Sequence, residues 1–155
     1  MSSEFFRTNS DPIFIPEAGP GGAEAPYRGL YEIMGQDNIF AMLRDFYWEL
    51  GQSSIAGMFP GDLEAASRKS AFFFIGLLGG PPIYHETYGP PRMRARHMPF
   101  KISTEFRQVW LHCFFKILEN HERYHLPKEH LAGFKGFLES FSSWMVNSAK
   151  THIES

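Results

Sequence analysis

Residues 79–100 read GGPPIYHETYGPPRMRARHMPF, and this stretch decides how the rest of the chain is organised. From Pro81 to Pro91 the density of Pro and Gly forbids a regular helix, so the spacing predicts a long loop. Long loops inside compact domains are usually functional. A short segment, Arg92 to His97, follows and is closed by Pro99 and Phe100. If that segment is one turn of helix, Met93 and His97 share a face, four residues apart, while Arg92, Arg94 and Arg96 project to the sides.

Outward from this loop the periodicity is helical on both sides. Upstream, Asp37 is a candidate N-cap for a helix whose Ile39, Phe40, Leu43, Phe46, Tyr47 and Leu50 fall on one face before Gly51. Asp62 is the cap of a second, with Leu63, Ala66, Ser70, Phe73, Phe74 and Leu77 along one stripe and Gly79-Gly80-Pro81-Pro82 as terminator. Downstream, Ser103 caps a helix bearing Phe106, Trp110, Cys113, Phe114, Ile117 and Leu118, expected to run to about Leu126 because the residue before Pro127 is pushed out of helix. Pro127 suits the start of a last helix with Leu131, Phe134, Leu138, Phe141 and Met145 inward. No strand alternation and no repeat emerges. The expected body, residues 27–155, is all-α.

Residues 1–26 form a Pro/Gly-rich extension outside that pattern. Their apolar positions, Phe5, Phe6, Ile13, Phe14 and Ile15, exceed what a spacer needs. The extension is expected either to be mobile or to dock, on the body or on a second copy in a homodimer. With 155 residues, 43% of them hydrophobic, the chain holds one domain with a buried core. Fifteen Lys and Arg against 17 Asp and Glu give a net charge of −2, so no overall basic field exists to hold nucleic acid or an anionic membrane. The apolar run Ala71 to Leu78 is far short of the roughly 20 residues that span a bilayer. A single cysteine, Cys113, excludes an internal disulfide framework, and the expected address is the cytoplasm. Sixteen Phe, 6 Tyr, 3 Trp and 7 His are the unusual feature.

Two constellations could carry chemistry. His121-Glu122-Arg123-Tyr124-His125 is a literal H-E-x-x-H, which on a helix puts two zinc ligands on one face with Glu122 placed to activate water. Its second His lies two residues before Pro127, where a helix frays, and polar residues finishing a helix are the plainer account. The other is His97 in its arginine-rich frame. Tyr47, Ser70, Phe73 and Trp110 lie on the apolar faces of three other helices, so one cavity walled by aromatics could hold a few hydroxyl and indole donors. A porphyrin requires such a flat slot, a neutral imidazole for iron and cations at the rim for two propionates. The Phe-rich helices, His97, and Lys69 with Arg94 or Arg96 would meet those needs.

The chain resembles the truncated haemoglobins, most closely their second group, over about Tyr27 to Asn147. The resemblance is carried by Phe46-Tyr47, Met58-Phe59-Pro60 with Asp62-Leu63, Gly79-Gly80-Pro81 with Tyr84, Gly89-Pro90-Pro91, Met93-Arg94-Ala95-Arg96-His97-Met98-Pro99-Phe100 and Trp110-Leu111-His112-Cys113. It implies a two-over-two helical sandwich around haem b, with a shortened first helix and mostly loop before the iron-ligating histidine. Residue by residue, it implies His97 as the proximal ligand, Tyr47 as the distal donor, Trp110 as the pocket indole and Phe59 as a pocket-edge aromatic. Phe73 and Phe100 are implied as ring-packing contacts, Tyr84 and Met93 as further cofactor contacts, and Lys69 with Arg96 as propionate partners. Two positions depart from the group's pattern: Ala66 replaces a gating polar residue, and Ser70 stands where Gln or Leu is common. Ala66 is expected to leave an opening toward solvent, and Ser70 to reach a ligand only through water.

The function so implied is binding of oxygen, nitric oxide, carbon monoxide or sulfide at a His-ligated iron. Donors at Tyr47 and Trp110 favour retention, hence ligand chemistry, detoxification or sensing over bulk oxygen transport. Nitric oxide dioxygenation or a peroxidase-like reaction would also require an electron donor. Two other classes stay open at this point: a zinc hydrolase using His121, Glu122 and His125, and a cofactor-free helical interaction module.

Overall fold

The computed structural model describes residues 5–8, 11–17, 24–59 and 61–148. Two of the expected caps start helices as read. The Asp62 carboxylate accepts a hydrogen bond from Ala65 N at 3.1 Å, and Ser103 Oγ accepts one from Phe106 N at 3.1 Å. Each satisfies one of the amide donors left orphaned at a helix start. The helices are α1 Leu30–Met34, α2 Gln36–Gly51, α3 Leu63–Leu77, α4 Ile83–Tyr88, α5 Met93–His97, α6 Thr104–Leu118 and α7 Leu131–Met145. Short 3₁₀ turns form at Ala56–Met58, His121–Tyr124 and Lys128–His130. Among the described residues no strand forms beyond a single antiparallel bridge between Phe6 and Phe100, and no helix is long and apolar enough to cross a membrane.

The long helices make two pairs, α2 with α3 and α6 with α7, joined by contact between α2 and α6. This is a two-over-two sandwich. One buried phenylalanine from each long helix meets at its centre. Phe114 of α6 lies 4.2 Å by ring centroid from Phe46 of α2, 5.7 Å from Phe74 of α3 and 5.9 Å from Phe134 of α7. Burial of each side chain contributes on the order of 2 kcal/mol, and tilted ring pairs add about 1 kcal/mol apiece.

Three boundaries differ from expectation. The stretch between Pro81 and Pro91 is not all loop: α4 fits between the breakers, because Pro82 needs no helical N–H at the start and Gly89, at φ 85°, ends it. Helix formation there buries Tyr84 against Phe73. α6 stops at Leu118, well before Leu126. The chain then turns back so that Tyr124 and Leu126 enter the core, with Tyr124 Oη donating to Asp45 at 2.6 Å. α2 begins at Gln36, two residues earlier than an Asp37 cap would give, after Gly35 at φ 83°.

Gly79 is required by close approach. It sits at φ 101°, and a Cβ there would collide with the carbonyl of Arg28, beside the hydrogen bond from Tyr31 N to Leu78 O. Thus α1 is held on the end of α3 by a contact that only glycine permits.

The described part of the N-terminal extension packs on the body. Phe5 is 8% exposed and covers Gly57, while Ile13, Phe14 and Ile15 remain at the surface.

Candidate functional site

A cavity of about 480 Å³ lies between the two helix pairs. It falls in the range of small-molecule and cofactor sites. α2 contributes Leu43, Phe46 and Tyr47; α3 contributes Ala66, Lys69, Ser70, Phe73 and Phe74; α4 contributes Tyr84. Met93, Arg96 and His97 enter from α5, Phe106, Arg107 and Trp110 from α6, and Phe141, Ser142 and Met145 from α7. Met58, Phe59, Phe100 and Ile102 complete the wall.

The chain therefore brings together Tyr47, Phe59, Ala66, Lys69, Ser70, Phe73, Tyr84, Met93, Arg96, His97, Phe100 and Trp110, which the sequence had singled out from five helices and two loops. Arg94 is placed elsewhere. Its guanidinium donates to the carbonyls of Trp144, Val146 (2.8 Å) and Phe14 (2.7 Å) and lies over the Trp144 ring. It holds α5 to the end of α7 and is not a wall residue.

His97 is half-buried. Its Nδ1 lies 2.6 Å from Met93 O, and because a carbonyl can only accept, that nitrogen donates. Nε2 is then the atom with the free lone pair. Burial lowers the imidazole pKa below its ordinary value, and nearby Lys69 lowers it further, against the opposing effect of the Met93 carbonyl. The ring is neutral at pH 7, which is the ligand form.

Tyr47 Oη and Ser70 Oγ are 2.6 Å apart. Burial raises the Tyr47 pKa, so the phenol keeps its proton. Two hydroxyls bring two hydrogens and their mutual bond uses one, leaving one donor for a ligand. Ser70 is thus bonded directly to Tyr47, a contact that helical spacing alone did not foretell. Phe59 meets Tyr47 edge-on at 5.8 Å, and Phe46 does the same at 5.5 Å, fixing the phenol ring between them. Trp110 stands edge-on to Phe46 at 5.4 Å.

Two cations line the mouth in different ways. Lys69 is exposed, with its ammonium 4.6 Å from the Tyr88 ring centre. Arg96 donates to the carbonyls of Tyr88 (2.7 Å), Pro90 (3.0 Å) and Pro91 (2.6 Å) and lies over Tyr84. It folds the breaker-rich loop around itself, which is why so many prolines can sit there in order.

Sequence reasoning missed Arg107, Ser142, Met145 and Phe106 as wall residues. Arg107 donates to Ser142 Oγ at 3.0 Å and to Glu139 O at 2.9 Å. The available signal was its spacing: Arg107 lies three residues before Trp110, on the same helical face.

The H-E-x-x-H expectation is corrected. His121–Tyr124 is a 3₁₀ turn, His125 follows in left-handed conformation at φ 57°, and His121 Nδ1 is bonded to Leu126 O at 2.7 Å. The two imidazoles do not share an α-helical face, so the zinc geometry is not built. Among the described residues no three His, Cys, Asp or Glu gather where they could hold a metal ion.

The sequence pattern of the bacterial-like globin family matches residues 29–147. A group 2 truncated hemoglobin of Bacillus subtilis, YjbI, is 38% identical over 84 residues, which is 54% of this chain and 64% of that protein. The match thus spans less than two thirds of that curated relative. Among solved structures, phosphate-bound Hell's gate globin IV is similar at a TM-score of 0.78 and 31% identity, over 85% of this chain and 82% of that one. The truncated oxygen-avid haemoglobin from Bacillus subtilis is similar at a TM-score of 0.70 and 34% identity, over 76% and 98% respectively.

Proposed function

The chain belongs to the bacterial-like globin family and is a haem-binding globin, and on that premise we propose that His97 is the axial ligand of haem b and that Tyr47 and Trp110 hold a small ligand in the same cavity. Membership sets aside both the zinc hydrolase and the cofactor-free module. The observation that carries the proposal is a neutral imidazole, already bonded through Nδ1, sharing one aromatic cavity with a hydroxyl pair that has a hydrogen to give.

The residues fit the group. When bound, haem supplies a redox-active iron that takes an imidazole and a small ligand. Met93 O holds the His97 ring in the tautomer whose Nε2 can ligate, and the bond raises its basicity. Phe73, Phe100, Met93 and Tyr84 give the flat apolar contacts a porphyrin needs, while Lys69 and Arg96 give the positive charge that two propionates need. Phe46, Phe59 and Phe74 exclude water from the ligand side, which strengthens any hydrogen bond made there.

Each donor adds about 1 kcal/mol to ligand retention, and more for a ligand carrying charge. Tyr47, oriented by Ser70, and the Trp110 indole together slow release of a polar diatomic ligand. This favours ligand chemistry, detoxification or sensing, with oxygen, nitric oxide or sulfide as ligands, over delivery. Turnover as a nitric oxide dioxygenase or peroxidase would draw on an electron donor. Ala66, small and without a donor, lines the α3 side of the cavity, and that side is the route we assign to ligand entry.

The test is the visible spectrum of the purified protein, oxidised, reduced and with carbon monoxide, beside His97→Gly. Haem with an imidazole signature in the parent and weak, imidazole-free haem in the variant are the expected results. Unchanged coordination in His97→Gly overturns the assignment.

A further inference from the structure

α5 carries His97 yet has only five residues, and no side chain caps it. Arg92, before it, is in left-handed conformation at φ 41°. So short a helix does not hold its own geometry and must be fixed from outside. Arg94 supplies one such anchor, to the end of α7, and a second lies behind the cavity wall. Asn147, just past α7, is fully buried although polar. Its side-chain oxygen accepts from Ile102 N at 2.9 Å and from Arg7 Nη2 at 2.8 Å, and its amide nitrogen donates to His97 O at 3.3 Å. The orientation follows from chemistry, since Ile102 N–H and a guanidinium can only donate and the atom facing both must be the oxygen. Its backbone N–H donates to Ile102 O at 2.9 Å, and its backbone carbonyl also accepts from Arg7 Nη2.

Arg7 reaches this point because the N-terminal segment is laid along residues 99–101. Arg7 N donates to Pro99 O at 2.7 Å, Lys101 N donates to Phe5 O at 2.9 Å, and the Phe6 and Phe100 rings meet at 5.7 Å. Neither Arg7 nor Asn147 lines the cavity; Asn147 acts on it from behind, through His97 O and Ile102 N, and Arg7 Nη1 also ties the carbonyls of Asp11 and Pro12.

We propose that Asn147 is a positioning residue for His97, and that Arg7 locks it, making the N-terminal segment part of the imidazole's mounting. Met93 O sets the ring and Asn147 sets the backbone that carries it. The proposal rests on His97 being the axial ligand.

The test uses the full haem-loaded chain. Asn147→Asp keeps the acceptor toward Arg7 and Ile102 and loses the donor toward His97; Arg7→Met keeps the stem and loses the donors. Two quantities are read: the iron–imidazole stretching band of the reduced, ligand-free protein, and the rate of haem loss to an excess of apoglobin scavenger. Both variants are expected to shift the band and to lose haem about tenfold faster, as removal of an outer support of a metal ligand commonly does. Arg7→Lys, which keeps the charge and a donor, restores part of both. Parental bands and loss rates in both variants overturn the proposal, and so does lower thermal stability with an unmoved band. His97→Gly run alongside separates the two readings: an iron–imidazole band that survives in it overturns the ligand assignment itself.

Discussion

The hydroxyls of Tyr47 on α2 and Ser70 on α3 stand 2.6 Å apart inside the aromatic cavity, so the two helices that make one layer of the sandwich share a polar contact there. Because one hydrogen is used between them and one remains, the pair acts as a unit whose output is a single directed donor.

Tyr47→Phe removes that donor, and its oxygen dissociation rate is expected to rise about tenfold or more, the equivalent of one hydrogen bond to a polar ligand. Ser70→Ala leaves the phenol in place without its orienting partner, and a smaller rise is expected. Stopped-flow displacement of oxygen by carbon monoxide gives both rates. Equal rates in the parent and Tyr47→Phe would remove the phenol from ligand retention.

Burial holds the His97 pKa below its ordinary value of 6.5. The unfolded chain therefore binds the proton first as pH falls. Stability that is complete above about pH 6.5 is lost as the pH drops toward the folded pKa. In haem-free protein, Tm should decline more steeply below pH 6.5 in the parent than in His97→Gln, whose side chain does not titrate. Parallel profiles for the two proteins would assign the acid sensitivity elsewhere.

Lys69 and Arg96 both line the cavity mouth but do different work. Arg96 closes three carbonyls of the loop from Tyr88 to Pro91, whereas Lys69 only overlies Tyr88. Arg96→Met should lower the Tm of the haem-free protein by several degrees, corresponding to about 1–3 kcal/mol for charged hydrogen bonds lost, and speed haem loss as well. Lys69→Met should speed haem loss with little change in the haem-free Tm. Thermal melts and haem-transfer rates on the same samples distinguish the two roles.

Tyr124 is buried and donates to Asp45 on α2, and burial together with that carboxylate pushes its pKa up beyond the ordinary phenol range. Tyr124→Phe should cost about 1–2 kcal/mol in urea unfolding, allowing for the partial exposure of Asp45, with no change in the visible spectrum. Glu122→Gln, two residues away in the same turn and exposed, should change neither. Zinc-dependent hydrolysis lost in Glu122→Gln would contradict the structural role assigned to this turn.

Where the structure places His97, and where it places His121 and His125, shows how far local spacing reaches. The placement of His97 on a one-turn helix facing the cavity was legible because its neighbours constrain each other at short range: prolines on both sides confine the segment, and the four-residue step puts Met93 beside the ring. The H-E-x-x-H motif is specific as a string of residues, though its place just before Pro127 already favoured a plainer account. It failed because its meaning depends on being α-helical, and that was decided by Tyr124 and Leu126 seeking the core. Arg94 and Arg96 could not be told apart by spacing either. One turns toward the carbonyls of Trp144 and Val146, some fifty residues away, and the other toward the loop just before it.

By itself the sequence determined the helical period, two of the caps, the breakers and the aromatic stripes of α2, α3, α6 and α7, since these are local consequences of side-chain type and spacing. Tertiary structure alone decided that Phe46, Phe74, Phe114 and Phe134 would pack on one another, and that Phe46 and Phe74 would also share a cavity with Tyr47, Phe73 and Trp110. It also decided that Arg7 would meet Asn147, 140 positions away. Contacts at such separation depend on how whole helices are stacked, and no local spacing encodes that.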